Sequence, residues 1–240
     1  MDTPYETDHS SSQAHQAVPD NWKLLYHNPL QSPECIAGFR MEGAGAVTFP
    51  LGRMRLESVR QAEEGQKANF VYWCPEEFPP DIAITWEFWP IREPGLAIMF
   101  LAAVGAGGRD LFDPVLAPRT GVYEQYHHGE MHALHISYFR RRWPEERSFH
   151  TCNLRKSYGF HLVAQGADPI PGTADAAGPY RLLALKQGAQ VTFSVNGLQV
   201  FSWMDDGARY GPPLAGGRVG FRQMAPLIAE YANLTVYEVT

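Results

Sequence analysis

The chain has 240 residues, 45% of them hydrophobic and 19% charged, and a formal net charge of −6. That length is enough to bury a sizeable core in one large domain. The negative charge argues against general nucleic-acid binding, because proteins that bind nucleic acids usually carry a basic surface. No apolar run approaches the length that a membrane span needs, so we predict neither a nucleic-acid partner nor a membrane partner.

The N-terminal segment is polar and acidic, and it lacks the basic stretch and apolar run that mark a secretory signal. The cysteines, Cys35, Cys74 and Cys152, are odd in number and show no Cys-x-x-Cys spacing. They therefore suggest no disulfide framework and favour a reducing compartment. We predict a cytoplasmic protein with a disordered tail over residues 1–20 and a single domain over residues 21–240.

Short apolar or alternating segments, divided by Gly and Pro, follow one another along the chain. They predict strands over residues 46–49, 53–59, 68–74, 82–89, 96–104, 131–140, 148–154, 159–163, 180–187, 189–195, 198–203, 217–224 and 228–239. Asn196 and Gly197 predict a type I′ hairpin turn between two of these strands, and residues 164–179 predict a long loop. The absence of a convincing helical period favours an all-β fold, an antiparallel β-sandwich of two stacked sheets.

Cations and imidazoles are concentrated between residues 126 and 171. Six of the nine histidines lie there: His127, His128, His132, His135, His150 and His161. Six basic side chains accompany them: Arg140, Arg141, Arg142, Arg147, Arg155 and Lys156. Because the alternation of HALHISYF predicts a strand, these groups are expected on a sheet face, where they would suit an anionic or hydroxyl-rich ligand.

Motifs spread over most of the chain resemble a YesU-like family of bacterial proteins of unknown function. They are LYHNPL at 25–30, FRMEG at 39–43, ANFVYWCPEEFP at 68–79, WEFWPIREPGLAIMF at 86–100, DLFDP at 110–114, HISYFRRRW at 135–143 and FHTCNLRKSYGFHLVAQGADPIP at 149–171. The segment from VTFSVNGLQVFSW onward also resembles concanavalin A-like lectin/glucanase jelly rolls. The resemblance implies a jelly-roll sandwich that holds a glycan on its concave sheet face, and a link to plant-type or uronate-containing glycans.

The residues fit a β-elimination on a uronate-containing oligosaccharide. In that reaction cationic or amide groups neutralise the carboxylate, and His or Tyr transfers the protons. We predict His135, Tyr138 and His150 as catalytic residues, and Arg140, Asn153, Arg155, Lys156 and His161 as substrate-binding residues. If Leu134 and Ile136 face the core, His135 faces the groove, and Tyr138 does so only across a bulge. For the following strand, either His150 with Cys152 or Thr151 with Asn153 faces the groove.

Three other functions stay open. A glycoside hydrolase needs two carboxylates, and Glu87 is the candidate, since alternation places Glu87 and Trp89 opposite the apolar face of their strand. A lectin-like, non-catalytic glycan-binding protein is the second. For either a lectin or an enzyme, we predict Trp73 and Trp89 as substrate-binding residues on which sugars stack. The third is a module that binds an acidic protein through the cation-rich segment.

No cofactor is predicted, and a divalent metal is the alternative. The groups suited to zinc are three imidazoles and a carboxylate: His127, His128, His132 and Glu130. The groups suited to calcium are three carboxylates: Asp110, Asp113 and Asp168. The expected partner is an oligosaccharide. Exposed edge strands also allow a homodimer.

Overall fold

The computed structural model describes Pro19 and residues 21–240, so the rest of the predicted disordered tail lies outside the described residues. In that part of the chain the strands are β1 Trp22–Asn28, β2 Arg40–Gly43, β3 Gly45–Thr48, β4 Met54–Ser58, β5 Phe70–Phe78, β6 Ile82–Arg92, β7 Leu96–Gly105, β8 Met131–Tyr138, β9 Thr151–Ser157, β10 His161–Ala167, β11 Tyr180–Gln187, β12 Gln190–Val195, β13 Leu198–Met204, β14 Gly217–Met224 and β15 Ile228–Val239. Two short α-helices, α1 Glu124–His127 and α2 Pro144–Ser148, and 3₁₀ turns at Pro33–Ile36, Ala62–Ala68 and Ala106–Gly108 complete the described elements.

The strands form two antiparallel sheets. The first sheet runs in the order β13-β12-β11-β6-β15-β4-β3, and β1 pairs with the far end of β15. The second sheet runs in the order β10-β9-β8-β7-β14-β5-β2. The runs β11-β12-β13 and β7-β8-β9-β10 pair with sequence neighbours, whereas β6, β15, β14 and β5 pair with strands distant in the chain, so the centre of each sheet depends on long-range pairing.

Alternating apolar residues from both sheets meet between them and form the main core. Trp86 and Phe88 of the first sheet pack there against Tyr138 of the second, with ring centroids 5.8 and 5.1 Å from the tyrosine ring. Glu87, the residue between Trp86 and Phe88 on β6, points away from this core, as the period of two in a strand requires. The all-β sandwich predicted from the sequence is confirmed.

Several boundaries agree with the predictions. β11, β14 and β15 begin and end where predicted, and the turn at Asn196 and Gly197 has the positive φ angles, 49° and 79°, of a type I′ hairpin. β9 begins three residues later than predicted because Pro144–Ser148 form α2. β10 runs to Ala167, so the predicted long loop begins only at Asp168.

A second apolar cluster covers part of the outer face of the second sheet. The connection between β7 and β8 folds back over this face, and its Leu111 and Tyr126 pack on Trp73 and Phe100. β5, β7 and β14 are thereby shielded from solvent, whereas β9 and β10 at the edge of the sheet stay open. No helix in the described part of the chain is long and apolar enough to cross a membrane.

Candidate functional site

The open part of this outer face is centred on β9. Cys152 and Leu154 are fully buried in the core between the sheets, so Thr151, Asn153 and Arg155 point outward. This settles the choice between the two orientations of the strand: Thr151 and Asn153 face the site, and Cys152 does not. In the neighbouring strand β10, Gln165 lies directly opposite Asn153.

Arg140 and Asn153 form one end of the site. Arg140 donates from Nη1 to Thr151 Oγ1 and from Nη2 to Glu146 Oε1, both at 2.7 Å. The Asn153 amide is almost completely buried and lies 2.7 Å from the Gln165 amide and 3.2 Å from Arg140 Nη1. The result is a fixed array of guanidinium and amide groups.

Arg155 and Phe160 form the other end. The Arg155 guanidinium carbon lies 3.7 Å from the centre of the Phe160 ring, and Nη1 donates to the Phe160 carbonyl at 2.8 Å. Gly159, with φ +96°, makes the turn that returns Phe160 to this position. Within residues 21–240, no carboxylate lies within 4 Å of Arg155. Its charge is therefore available to an anionic ligand.

A second uncompensated cation lies beneath the site. Arg222 is fully buried, 4.6 Å from the Tyr123 ring centre and 5.3 Å from that of Tyr126, and it donates to the Gly121 carbonyl at 2.8 Å. Burial lowers the pKa of this guanidinium. No carboxylate among the described residues pairs with it, so it adds positive potential to the face.

His135 lies on this face but is covered. Its Nε2 lies 2.8 Å from Ser157 Oγ and its Nδ1 lies 3.2 Å from the Tyr123 hydroxyl. The Ser157 hydroxyl also lies 3.3 Å from the carbonyl oxygens of Tyr126 and Ala133, which can only accept. Ser157 therefore donates to a carbonyl and accepts from Nε2–H, which leaves Nδ1 to accept the Tyr123 proton.

Burial sets the protonation of this array. Burial, together with nearby cationic groups, holds the pKa of His135 well below its usual value of 6.5. Burial also raises the pKa of Tyr123. Both groups are therefore neutral at pH 7, and the hydrogen bond between them orients the Tyr123 ring. Tyr123 is the member of this array that retains some exposure, since His135 and Ser157 are almost completely buried.

Two predicted site residues on these strands point to the opposite side. Tyr138 is fully buried between the sheets, where Trp86 Nε1 donates to its hydroxyl at 3.1 Å, and no bulge brings it outward. Lys156 is 2% exposed and donates to Asp205 Oδ2 at 2.7 Å and to the carbonyls of Gly211 and Pro212. The catalytic role of Tyr138 and the substrate contact of Lys156 are thus not supported, because both side chains follow the core-facing alternation of their strands.

Glu87 and Trp89 belong to the other sheet. They lie on the outer face of β6, which pairs with β11 and β15 in the first sheet. Glu87 accepts from Asn233 Nδ2 at 2.9 Å and lies 3.6 Å from Arg181 Nε. The Arg53 guanidinium carbon lies 4.3 Å from the Trp89 ring centre. Neither residue can act at β9, because the two outer faces point in opposite directions.

The other aromatic and histidine candidates are also separated from the site. Trp73 is fully buried and donates from Nε1 to Glu42 at 2.9 Å. His161 is paired with Lys156, on the side of β10 away from Arg155, and its ring stacks on Tyr210 at 4.1 Å. His150 is exposed before the start of β9. Of the predicted site residues, the structure brings together Arg140, Asn153 and Arg155.

The proposed metal ligands are not grouped. Nδ1 of His127 lies 2.5 Å from Nδ1 of His128, and within residues 21–240 no third His, Cys, Asp or Glu completes a metal site there or elsewhere. Asp110 instead accepts from Arg218 at 2.6 Å, and Asp168 from Arg141 at 3.1 Å.

A cleft of about 460 Å³ lies at the opposite edge of the second sheet. Its walls include Glu42, Arg60, Lys67 and Arg119. Glu42 and Arg119 neutralise each other at 2.7 Å, and Arg60 pairs with Glu64. None of the predicted site residues lines this cleft.

The sequence analysis missed Tyr123, Phe160, Gln165 and Arg222. The spacing of Tyr123, Tyr126 and His127 is that of one helical turn and matches α1, so this signal was available. The positions of Gln165 and Phe160 beside β9 could be predicted only after the register of the β9–β10 hairpin is known. Arg222 could not be found, because its partners come from distant segments.

The comparisons with known proteins support the fold. The uncharacterized protein YesU of Bacillus subtilis (strain 168) is 52% identical over 214 residues, which cover 89% of this chain and 95% of that protein. A crystal structure from Bacillus subtilis, described as a protein of unknown function with a galectin-like fold, is 50% identical with a TM-score of 0.87, covering 91% of this chain and 98% of that one. The carbohydrate recognition domain of Emp47p is 10% identical with a TM-score of 0.58, covering 93% of this chain and 100% of that domain.

The last of these likenesses concerns the fold alone, because its sequence identity is low. The first two confirm the YesU-like resemblance and the jelly-roll sandwich predicted from the sequence. A family model described as a domain of unknown function, DUF1961, matches residues 23–236. The chain therefore belongs to the DUF1961 family.

Proposed function

We propose that the outer face of the second sheet binds a uronate-containing oligosaccharide in a lectin-like manner. The observation that carries this proposal is Arg155, a guanidinium stacked on Phe160 with no carboxylate within 4 Å in the described chain. A cation, an aromatic ring and the neighbouring amides are the groups that an acidic sugar needs for its carboxylate, its apolar face and its hydroxyls.

Charge on this face favours an anion over a neutral sugar. Arg155 and Arg222 have no paired carboxylate among residues 21–240, and Arg140 shares Glu146 with the backbone N–H groups of Arg142 and Trp143. Partial burial lowers the pKa of Arg155, and a guanidinium in a protein keeps its charge at neutral pH. An exposed carboxylate on the ligand would offset the cost of holding this cation in a half-buried place.

The known proteins add support at the level of the fold. The sandwich is shared with proteins described as a carbohydrate binding module and as carbohydrate recognition domains. Fold likeness alone does not carry a function, so the proposal depends on the side chains of β9 and β10. We also propose a cytoplasmic setting, in which the ligands would be imported oligosaccharides. The site comes from one chain, so binding does not require a homodimer.

Binding is better supported than cleavage. β-Elimination needs a base and an acid beside the sugar, yet His135 is fully buried and Tyr138 lies in the core. His150 precedes Thr151, so alternation turns it away from the side that Thr151 faces. Hydrolysis needs two carboxylates beside the scissile bond, and Glu87 lies on the other sheet. The residues that do converge on β9 are guanidinium, amide and aromatic groups.

Calorimetry with galacturonate and glucuronate oligosaccharides, and with neutral galactose oligosaccharides as a comparison, tests the proposal. We expect saturable binding of the acidic sugars that weakens as salt is raised. Arg155→Gln should abolish most of that binding. The matched control is Arg181→Gln, which removes an arginine from the outer face of the first sheet and should leave binding unchanged. Equal binding of neutral and acidic sugars, or an equal effect of both variants, would contradict the proposal.

Absorbance of unsaturated uronate products, followed in the same samples, separates binding from turnover. A signal that grows with time in the wild-type protein and is lost in Arg155→Gln would show that the face cleaves its ligand by β-elimination. Binding without such a signal is the result expected here.

A further inference from the structure

Phe149 is a large apolar side chain with no covering partner in the described chain. It is 77% exposed, whereas apolar residues of this size are usually buried. It lies just before β9, between the end of α2 and Thr151. An exposed aromatic ring beside a candidate sugar site can stack on a sugar ring of the ligand.

The backbone places Phe149 in line with the site. Its φ and ψ of −131° and 101° are those of an extended strand. It is therefore separated by even steps from Thr151, Asn153 and Arg155, whose side chains point outward, and continues their direction. These four residues, Phe149, Thr151, Asn153 and Arg155, make up the β9 row.

The β9 row has an aromatic ring at each end and polar groups between them. Phe160 lies on Arg155 at one end, and Phe149 stands at the other. At the rise of an extended chain, the row spans on the order of 20 Å. That length exceeds a single sugar ring, so the row can contact several consecutive sugars.

The position of Phe149 is fixed before any ligand arrives. Its backbone N–H donates to the Glu145 carbonyl at 3.2 Å, and the next residue, His150, accepts from the Asp168 N–H at 2.9 Å. A platform held in this way loses little backbone freedom on binding, which favours affinity.

Resting on the proposed function, we propose that the oligosaccharide runs along β9 and that Phe149 is a distal stacking subsite. A uronate carboxylate pairs with Arg155, hydroxyls of the next sugar meet the exposed Gln165 amide, which the buried Asn153 holds in place, and a more distant ring stacks on Phe149. The protein would then recognise the interior of an acidic chain rather than a single terminal sugar.

The test compares a short and a long acidic ligand. Digalacturonate and hexagalacturonate are titrated by calorimetry into the wild-type protein, Phe149→Ala and Phe149→Tyr. The hexamer should bind more tightly than the dimer to the wild type. Phe149→Ala should weaken hexamer binding by roughly three- to tenfold, the range that loss of one aromatic contact corresponds to, and leave dimer binding unchanged. Phe149→Tyr should retain hexamer binding.

Leu198→Ala is the matched control, since Leu198 is 61% exposed on β13 of the other sheet. It should affect neither ligand. Equal affinity of the wild type for both lengths, no loss of hexamer binding in Phe149→Ala, or an equal loss for both lengths would overturn the subsite while the proposed function stands. If neither ligand binds the wild type, the proposed function fails, and the subsite fails with it.

Discussion

Arg141 and Asp168 form an ion pair in the interior of the protein, with Nη1 3.1 Å from Oδ2 and both side chains at most 1% exposed. Asp168 also accepts from the backbone N–H of Phe139 at 2.9 Å, and Arg141 Nη2 donates to the Ile170 carbonyl at 2.7 Å. The pair thus ties the end of β8 to the segment after β10. Arg140, next in the chain, is held toward the candidate site by this arrangement.

Asp168→Asn should strongly destabilise the protein. The substitution keeps the size of the side chain but leaves Arg141 as a buried charge without its partner, which costs about 3–5 kcal/mol. Urea denaturation at neutral pH measures the loss. Glu238→Gln is the control, because its ion pair with Lys23 lies on the surface at 3.4 Å and should contribute less than about 1 kcal/mol. Similar losses in the two variants would show that the buried pair contributes no more to the free energy of unfolding than the surface pair does.

Most of the sandwich could be predicted from the sequence because alternation reports which side of a strand is buried. That rule correctly placed Trp86 and Phe88 in the core and His135 on the outer face. β2 was not predicted, because Arg40–Gly43 is short and largely polar and becomes a strand by pairing with β5. The helices α1 and α2 were missed because each is a single turn, too short for a hydrophobic period to stand out from the surrounding loop.

The candidate site was harder to predict than the fold. Alternation tells which face of its own sheet a residue occupies, but not which sheet its strand joins. Alternation therefore gave the outer face of β6 for Glu87 but not its distance from β9, since β6 finds β11 and β15 only through long-range pairing. Lys156 has the same alternation as Leu154 and so points inward, where Asp205 from a distant loop neutralises it. No local sequence pattern predicts that Asp205 neutralises Lys156.

Folding stability should fall as the pH is lowered through the titration range of unfolded histidine. The pKa of His135 in the folded state lies well below 6.5, and that of His127 is about 4, in both cases chiefly through burial. Below about pH 6.5 the unfolded chain binds protons that the folded protein does not, so each group lowers stability by up to about 1.4 kcal/mol per pH unit until its folded pKa is reached. Above that range neither group contributes a pH dependence.

His135→Gln isolates one of these contributions. The free energy of unfolding, measured in urea between about pH 7 and pH 5, should decrease less steeply with falling pH in the variant. The difference in slope should approach about 1.4 kcal/mol per pH unit, which corresponds to one proton taken up on unfolding. Its absolute stability will also be lower, because Ser157 and Tyr123 lose their imidazole partner, so the comparison concerns the slope. Parallel curves for the two proteins would mean that His135 titrates normally in the folded state.

The tautomer of His135 should be the one with the proton on Nε2. The carbonyls of Tyr126 and Ala133 take the Ser157 proton, and Ser157 then accepts from Nε2–H. Two-bond ¹H–¹⁵N spectra at pH 7 distinguish a protonated Nε2 from a protonated Nδ1. Tyr123→Phe should keep the tautomer, because Ser157 imposes it, whereas Ser157→Ala removes the constraint. A protonated Nδ1 in the wild type would contradict this hydrogen-bond assignment.

Lys156 and Arg155, adjacent on β9 with opposite orientations, should separate stability from binding. Lys156→Met leaves the Asp205 carboxylate buried without its cation, and should lower the free energy of unfolding by about 3–5 kcal/mol. Folded Lys156→Met protein should still bind acidic oligosaccharide with wild-type affinity, because this side chain does not reach the outer face. Arg155→Gln should do the reverse, with little effect on unfolding and a large loss of binding. Urea denaturation measures stability and calorimetry measures binding for both variants. A loss of affinity in folded Lys156→Met would show that this lysine contributes to the ligand site.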